Sequence, residues 1–228
     1  MKVEIEFLGH SGFLLTGSQG TLAIDPFLTG NPVAVKKSGE IACDYIALTH
    51  GHEDHMGDAL ALSKSNNASV IAAFEICEHL AHEGAHTEPG NPGGKIITPF
   101  GWVAFTQAFH SSSYQGKYMG QPCGVVARFE AENFTFYHLG DTALFSDLRL
   151  MGELYMPDVA AIPVGDRFTM GPEHGRMAAE MIKPGIAIPI HWGTFPALAQ
   201  DISAFKPGGV EVRVMKPGET MQCGTCMR

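Results

Sequence analysis

The segment Thr49-His50-Gly51-His52-Glu53-Asp54-His55-Met56-Gly57-Asp58 puts three histidines and an aspartate within six positions. It follows the apolar run Tyr45-Ile46-Ala47-Leu48, read as a buried strand, and precedes a predicted helix over 58–65. A chain of this kind must end a buried strand where four ligating side chains crowd together. Neutral imidazole and carboxylate together suit Zn²⁺ and other first-row divalent ions. On an extended turn His50 and His52 project to the same side, because side chains repeat every second residue. Asp54 and His55, where the chain begins to coil, point at a neighbouring position. One loop then serves two metals about 3.5–4 Å apart, the spacing of two-metal hydrolytic sites. A helix cap at Asp54 is the plainer explanation, but a cap needs one short polar side chain, not three imidazoles.

Four ligands do not complete two sites. Three further positions qualify, each at the C-terminal end of a predicted strand: His110 after 103–109, Asp141 after 134–138 and His191 after 186–190. Strand ends hold side chains rigidly around a shared cavity. With the loop they make a set of His50, His52, His55, His110, His191, Asp54 and Asp141, enough for two sites and a bridging ligand.

Short apolar runs separated by Gly and Pro set the rest of the plan. Strands are expected at 3–8, 12–16, 21–25, 45–49 and 70–73, with helices at 58–65 and 75–81. The second half restarts with strands at 95–99, 102–109, 124–130 and 134–138. It then alternates: helix 146–154, strand 159–164, helix 172–182, strand 186–190, helix 197–205, strand 210–215. Each half runs from antiparallel strands into alternating strand and helix. The expectation is an α/β chain with two sheets face to face and helices outside, a four-layer αββα sandwich. No linker or low-complexity tract divides it, so a single domain is expected over 1–220, with a tail at 221–228.

Hydrophobic residues make up 45% of the chain and charged residues 17%, a globular balance. The formal charge of −9 disfavours a nucleic-acid partner, which requires a basic face. No apolar run reaches the roughly 18 residues a membrane span needs. Glu4 and Glu6 interrupt the N-terminus where an export signal would be apolar. Of five cysteines, Cys43, Cys77 and Cys123 stand alone in apolar surroundings, as in a reducing compartment. The expected location is the cytoplasm. Cys223 and Cys226 form a Cys-x-x-Cys pair, but a structural zinc needs four ligands; a frayed terminus with two ordinary thiols is the expectation.

The His-x-His-x-Asp-His loop with a later His, Asp and His resembles the metallo-β-lactamase superfamily. Gly9-His10-Ser11, the 24–32 stretch Ile-Asp-Pro-Phe-Leu-Thr-Gly-Asn-Pro, the 140–147 stretch Gly-Asp-Thr-Ala-Leu-Phe-Ser-Asp, Phe168-Thr169-Met170-Gly171-Pro172 and His191-Trp192-Gly193-Thr194-Phe195-Pro196 are similar to its metal-dependent hydrolase branch related to ascorbate-6-phosphate lactonases. The resemblance covers residues 1 to about 220. It implies the metallo-β-lactamase fold and a binuclear metal centre, Zn²⁺ first, with Mn²⁺, Fe²⁺ or Ni²⁺ admitted by the same ligands. His50, His52 and His110 would hold one ion, Asp54, His55 and His191 the other, and Asp141 would bridge them. Gly12 departs from the Cys of close relatives, away from the ligands.

The implied reaction is hydrolysis by a metal-bridging hydroxide, with Asp54 as the catalytic residue that orients it. Residual positive charge at the metals favours a small anionic ester, lactone or phosphodiester. His10 and Arg167 are candidates for binding it; Asp25 is expected to brace the histidine loop. His79, His82, His86 and His174 are expected on solvated surface. A homo-oligomer is left open. Three rivals remain. A ribonuclease would need a basic extension. A di-iron redox protein would place Glu where His52 stands. A metal sensor has only the Cys223/Cys226 pair for support.

Overall fold

In the computed structural model, which describes residues 1–224, the strands form two seven-stranded mixed sheets. The first contains β1 (Val3–Gly9), β2 (Gly12–Gly17), β3 (Gly20–Ile24), β4 (Tyr45–Ala47), β5 (Ser69–Ala73) and β6 (His86–Gly90). The second contains β7 (Lys95–Thr98), β8 (Gly101–Gln107), β11 (Cys123–Phe129), β12 (Phe134–His138), β13 (Val159–Pro163), β14 (Ile186–Ile190) and β15 (Glu211–Val212). Between β8 and β11 stands a small hairpin of β9 (Ser113–Tyr114) and β10 (Lys117–Tyr118). The last strand, β16 (Thr220–Cys223), returns to the first sheet and pairs antiparallel with β1. The helices are α1 (Glu53–Met56), α2 (Ala59–Asn66), α3 (Phe74–His82), α4 (Leu148–Tyr155) and α5 (Pro172–Ile182).

Alternation along the strands builds the layers. Val3, Ile5, Phe13, Leu15, Leu22 and Ile24 face Val125, Ala127, Phe129, Phe134, Phe136 and Ile188 across a dry interface between the sheets. The opposite side chains, Ala23, Ile46 and Val70, turn outward onto Leu62, Ile76 and Leu80 of α2 and α3. On the second sheet Val126, Tyr137 and Ala160 do the same against Leu148, Ala178 and Ile182 of α4 and α5. Strands apolar on both faces are what a sheet covered by helices and by a second sheet demands. The expected four-layer αββα sandwich, the metallo-β-lactamase fold, is the one the chain adopts.

Four segments differ from expectation. Residues 197–205 form turns rather than a helix. The amide of Ala199 donates to the Gly165 carbonyl and its carbonyl accepts from Gly193, while Asp201 accepts from Ser203, so groups a helix would pair internally are spent elsewhere. The 210–215 strand shrinks to β15. The region 83–95 contains β6, a parallel edge strand whose His-Thr-Glu-Pro-Gly sequence carries no apolar alternation; Pro is tolerated on such an edge. His86 lies on this strand, with its side chain exposed. The tail is not frayed from 221 onward: residues 221–223 complete β16 and Cys223 is buried. Cys226 lies outside the described residues. No helix among the described residues is long and apolar enough to cross a membrane.

Candidate metal centre

β1, β3 and β4 run in one direction in the first sheet, as β8, β12 and β14 do in the second. The C-terminal ends of each set therefore share one edge of their sheet. The chain leaves those ends at His10 after β1, Asp25 after β3, His50 after β4, His110 beyond β8, Asp141 beyond β12 and His191 after β14. His10, Asp25 and His191 all hold positive φ, at 59°, 44° and 59°, backbone that non-glycine residues adopt at a cost and that clusters at functional sites.

Ligand-type atoms of His50, His52 and His110 lie within 4.8 Å of one another, as do those of His10, Asp54, His55 and His191, and those of His50, His55 and Asp141. Asp141 sits between the groups. Its Oδ2 is 3.1 Å from His191 Nε2 and 3.4 Å from His110 Nε2, and its Oδ1 is 3.4 Å from His55 Nε2. Asp54 Oδ2 is 3.6 Å from His191 Nε2 and 4.0 Å from His55 Nε2. His50 Nε2 and His52 Nδ1 approach to 2.9 Å.

Two features fit this donor set to metal ions. His55 Nε2 and Asp141 Oδ1 are buried, face each other and have no hydrogen-bond partner. Buried polar atoms without partners are rare and call for an occupant. The electrostatics agree. Burial resists ionisation of Asp141, yet His191 and His55 hold its carboxyl well below the usual range. Burial likewise opposes charge on His191, and Asp141 and Asp54 override it, pushing the imidazole up to about 9. His50, fully buried, is held well below its ordinary value. Against burial, Asp141, Asp25 and Asp54 likewise hold the His55 imidazole well above its ordinary value, so the carboxylates keep positive charge on His55 and His191; a first-row divalent ion would supply that charge instead and take the imidazoles as neutral donors.

The outward nitrogens are braced. Asp25, fully buried, accepts from the Thr49 amide at 2.9 Å, the Thr49 hydroxyl at 2.6 Å and His55 Nδ1 at 2.7 Å. That contact aims His55 Nε2 into the centre, as the bracing expectation for Asp25 required. Ser111 Oγ is 3.2 Å from His52 Nε2 and leaves Nδ1 facing His50. Thr49 and Ser111 carry no recognisable signal beyond adjacency to a histidine ligand candidate.

The two candidates for substrate contact fare differently. His10 is buried within the centre: its Nε2 lies 3.1 Å from Asp54 Oδ2 and its Nδ1 2.9 Å from Thr194 Oγ1. Burial lowers its pKa to about 4, so the neutral ring donates from Nε2 to the carboxylate and accepts from Thr194. Arg167 is exposed, with its guanidinium over the Phe168 ring at 5.5 Å. It is absent from the wall of the cavity of about 720 Å³ that opens at Asp54. Of the surface histidines, His82, His86 and His174 are exposed and His79 packs its ring against Tyr114.

The family model described as Beta-lactamase superfamily domain matches residues 4–191. A UPF0173 metal-dependent hydrolase of Thermus thermophilus is 46% identical over 225 residues, spanning 96% of this chain and 99% of the relative. Its counterpart in Geobacillus sp. strain WCH70 is 46% identical over 228 residues, covering 96% of this chain and 100% of its own. The solved structure of a metallo hydrolase from the archaeon Ignicoccus hospitalis superposes with a TM-score of 0.89 at 34% identity, covering 98% of this chain and 99% of that one. With the metal-ligand geometry and these likenesses together, the chain belongs to the UPF0173 metal-dependent hydrolases of the metallo-β-lactamase superfamily.

Proposed function

We propose that the protein is a binuclear hydrolase of small anionic esters, lactones or phosphodiesters, with the negative charge at the reacting end, akin to the lactonase-related branch of the superfamily. His50, His52 and His110 would hold one divalent ion and Asp54, His55 and His191 the other, with Asp141 available to both. The observation that carries this reading is the position of Asp141, within 3.4 Å of His55, His110 and His191 at once. Two divalent ions there would acidify a water to the neutral range and offer a counter-charge for the oxygen on which negative charge develops. Zn²⁺ heads the candidates, with Mn²⁺, Fe²⁺ and Ni²⁺ behind it.

The chain's own groups do the rest. Asp54 Oδ2 is fixed by His10, which leaves Oδ1 to accept a proton from the attacking water and pass it to the leaving oxygen. Asp25 and Ser111 keep the lone pairs of His55 and His52 turned inward. Among the described residues no Lys or Arg lines the cavity at Asp54, so the ions would be what favours an anionic transition state.

The test is elemental mass spectrometry of the purified protein, with lactones, carboxylic esters and phosphodiesters assayed on the same sample. Two metals per chain and chelator-sensitive turnover, lost in Asp54→Ala, are expected. Full activity in a metal-loaded Asp54→Ala variant overturns the role given to Asp54. Two irons, a visible absorption band and no hydrolysis would favour redox chemistry instead.

A further inference from the structure

The cavity of about 720 Å³ beside Asp54 falls within the range of sites that take a small organic molecule. Phe27, Tyr114, Phe195, Leu60 and Ala61 give it apolar walls. The Phe27 and Phe195 rings stand 6.5 Å apart, and each meets the edge of His10, at 5.9 and 5.6 Å. Tyr114 arrives from the β9–β10 hairpin. Three aromatic side chains therefore line the cavity next to the carboxylate assigned to catalysis.

The charges in the wall are all negative. Asp58 is spent on structure: its carboxylate accepts from the amides of Leu28 and Thr29 at 2.9 and 2.7 Å and from the Thr29 hydroxyl at 2.6 Å. Asp54 is engaged by His10. Glu53 differs. It opens α1 with an exposed side chain, and its carboxylate makes no hydrogen bond or ion pair among the described residues. A free carboxylate beside aromatic faces is the pairing that recognises an organic cation, through Coulomb attraction and the ring quadrupoles together.

We infer that the group filling the cavity beyond the scissile bond is an apolar chain or ring ending in a cationic amine, held by Glu53 and the Phe27, Tyr114 and Phe195 rings. The inference rests on the hydrolase reading above and specifies its substrate class. The reacting end meets the metals; the remote end meets acid and aromatics.

The experiment compares two esters of one alcohol whose acyl chains end in trimethylammonium or in the isosteric tert-butyl group, with the acetyl ester as the truncated control. In the zinc-loaded protein, kcat/KM is expected to favour trimethylammonium over tert-butyl by about threefold to fivefold, the scale of a half-exposed ion pair. The acetyl ester should fall at least about tenfold below both, since it leaves the walls uncovered. Glu53→Gln should lower the ammonium-to-tert-butyl ratio to what the rings alone provide. In parallel, calorimetric titration measures binding of the uncleaved amides of the two acids to the same protein and to Glu53→Gln. A tert-butyl compound handled as well as the cation, or a preference undiminished in Glu53→Gln, overturns the inference. Failure of every ester to turn over would count against the hydrolase reading, while the amide titration still decides the cation preference.

Discussion

His191 donates its backbone N–H to the carbonyl of His10 at 2.9 Å, and both residues hold φ at 59°. The bond ties the end of β14 in one sheet to the end of β1 in the other, and the two rings pack at 4.3 Å. Strain on both sides of one hydrogen bond fixes where the His10 ring sits, and that ring in turn fixes Asp54. Residues contributed by separate sheets thus share one frame.

The expected consequence appears in the rate. His10→Ala frees Asp54 to rotate and should lower kcat by about tenfold to a hundredfold, the usual scale for a misplaced proton-transfer group. The loss should fall more on kcat than on KM, because His10 reaches the cavity only through the Phe27 and Phe195 rings packed on it. His10→Gln keeps an amide donor and should restore part of the loss. A variant with raised KM and unaltered kcat would mean that His10 touches substrate instead.

Gly57 closes α1 at φ 42°, and a Cβ there would lie 2.5 Å from the Pro26 carbonyl oxygen and 2.6 Å from Phe27 Cα. Both opposing atoms are backbone, so neither gives way cheaply. Backbone at φ 42° and ψ −123°, a conformation open to glycine, and overpacking add, and Gly57→Ala should cost about 2–5 kcal/mol. For a chain of this size each kcal/mol lowers Tm by about 2–4 °C. Thermal unfolding of the two proteins measures it, and an unchanged Tm would mean that the loop after β3 moves freely away from the histidine loop.

The loop from 49 to 58 was the most legible part of the molecule, because ligand chemistry forces several rare residues into few positions. His110, Asp141 and His191 were legible for a different reason: each follows an apolar run, and the parallel direction of those runs brings their ends together. What could not be read depends on pairing across the chain. β6 carries polar side chains and exists because β5 offers it an open edge. The 197–205 stretch has helical composition, but Gly165 and Gly193 claim the Ala199 backbone from outside. Arg167 sits in a turn after β13 where sequence suggested the mouth of the site, and the turn carries its side chain onto Phe168 instead. His10 looked like a residue of the mouth and proved to be interior, since only the structure shows Thr194 closing over its far nitrogen.

Burial pushes the thiols of Cys43 and Cys77 up to about 11 and that of Cys123 up to about 12. At pH 8 only about one in a thousand of the first two would be thiolate, the reactive form. Iodoacetamide should therefore leave all three unmodified in the folded protein and label them in denaturant, as peptide mass spectrometry would record. The same shifts carry a stability consequence. A folded pKa above the unfolded one stabilises fully below about pH 8.5, and that contribution is lost as pH rises toward 11. Rapid native labelling at any of the three would show that its cover opens readily.

Asp25 is the residue on which the histidine loop turns. One of its oxygens takes the Thr49 amide, and the other takes both the Thr49 hydroxyl and His55 Nδ1. In Asp25→Asn the amide oxygen must stay with the Thr49 N–H, which places an NH₂ group against His55. The imidazole then accepts at Nδ1 and carries its proton on Nε2, pointing into the centre where a lone pair is needed. Metal affinity should fall by about tenfold to a hundredfold, with a further loss of about 1–3 kcal/mol in stability from the disturbed buried network. Thr49→Val removes one bond to Asp25 but leaves its contact with His55, so its effect on affinity should be smaller. Chelator competition on the three proteins gives the order directly. If Asp25→Asn binds metal as tightly as the parent, the orientation of His55 is set by something other than this carboxylate.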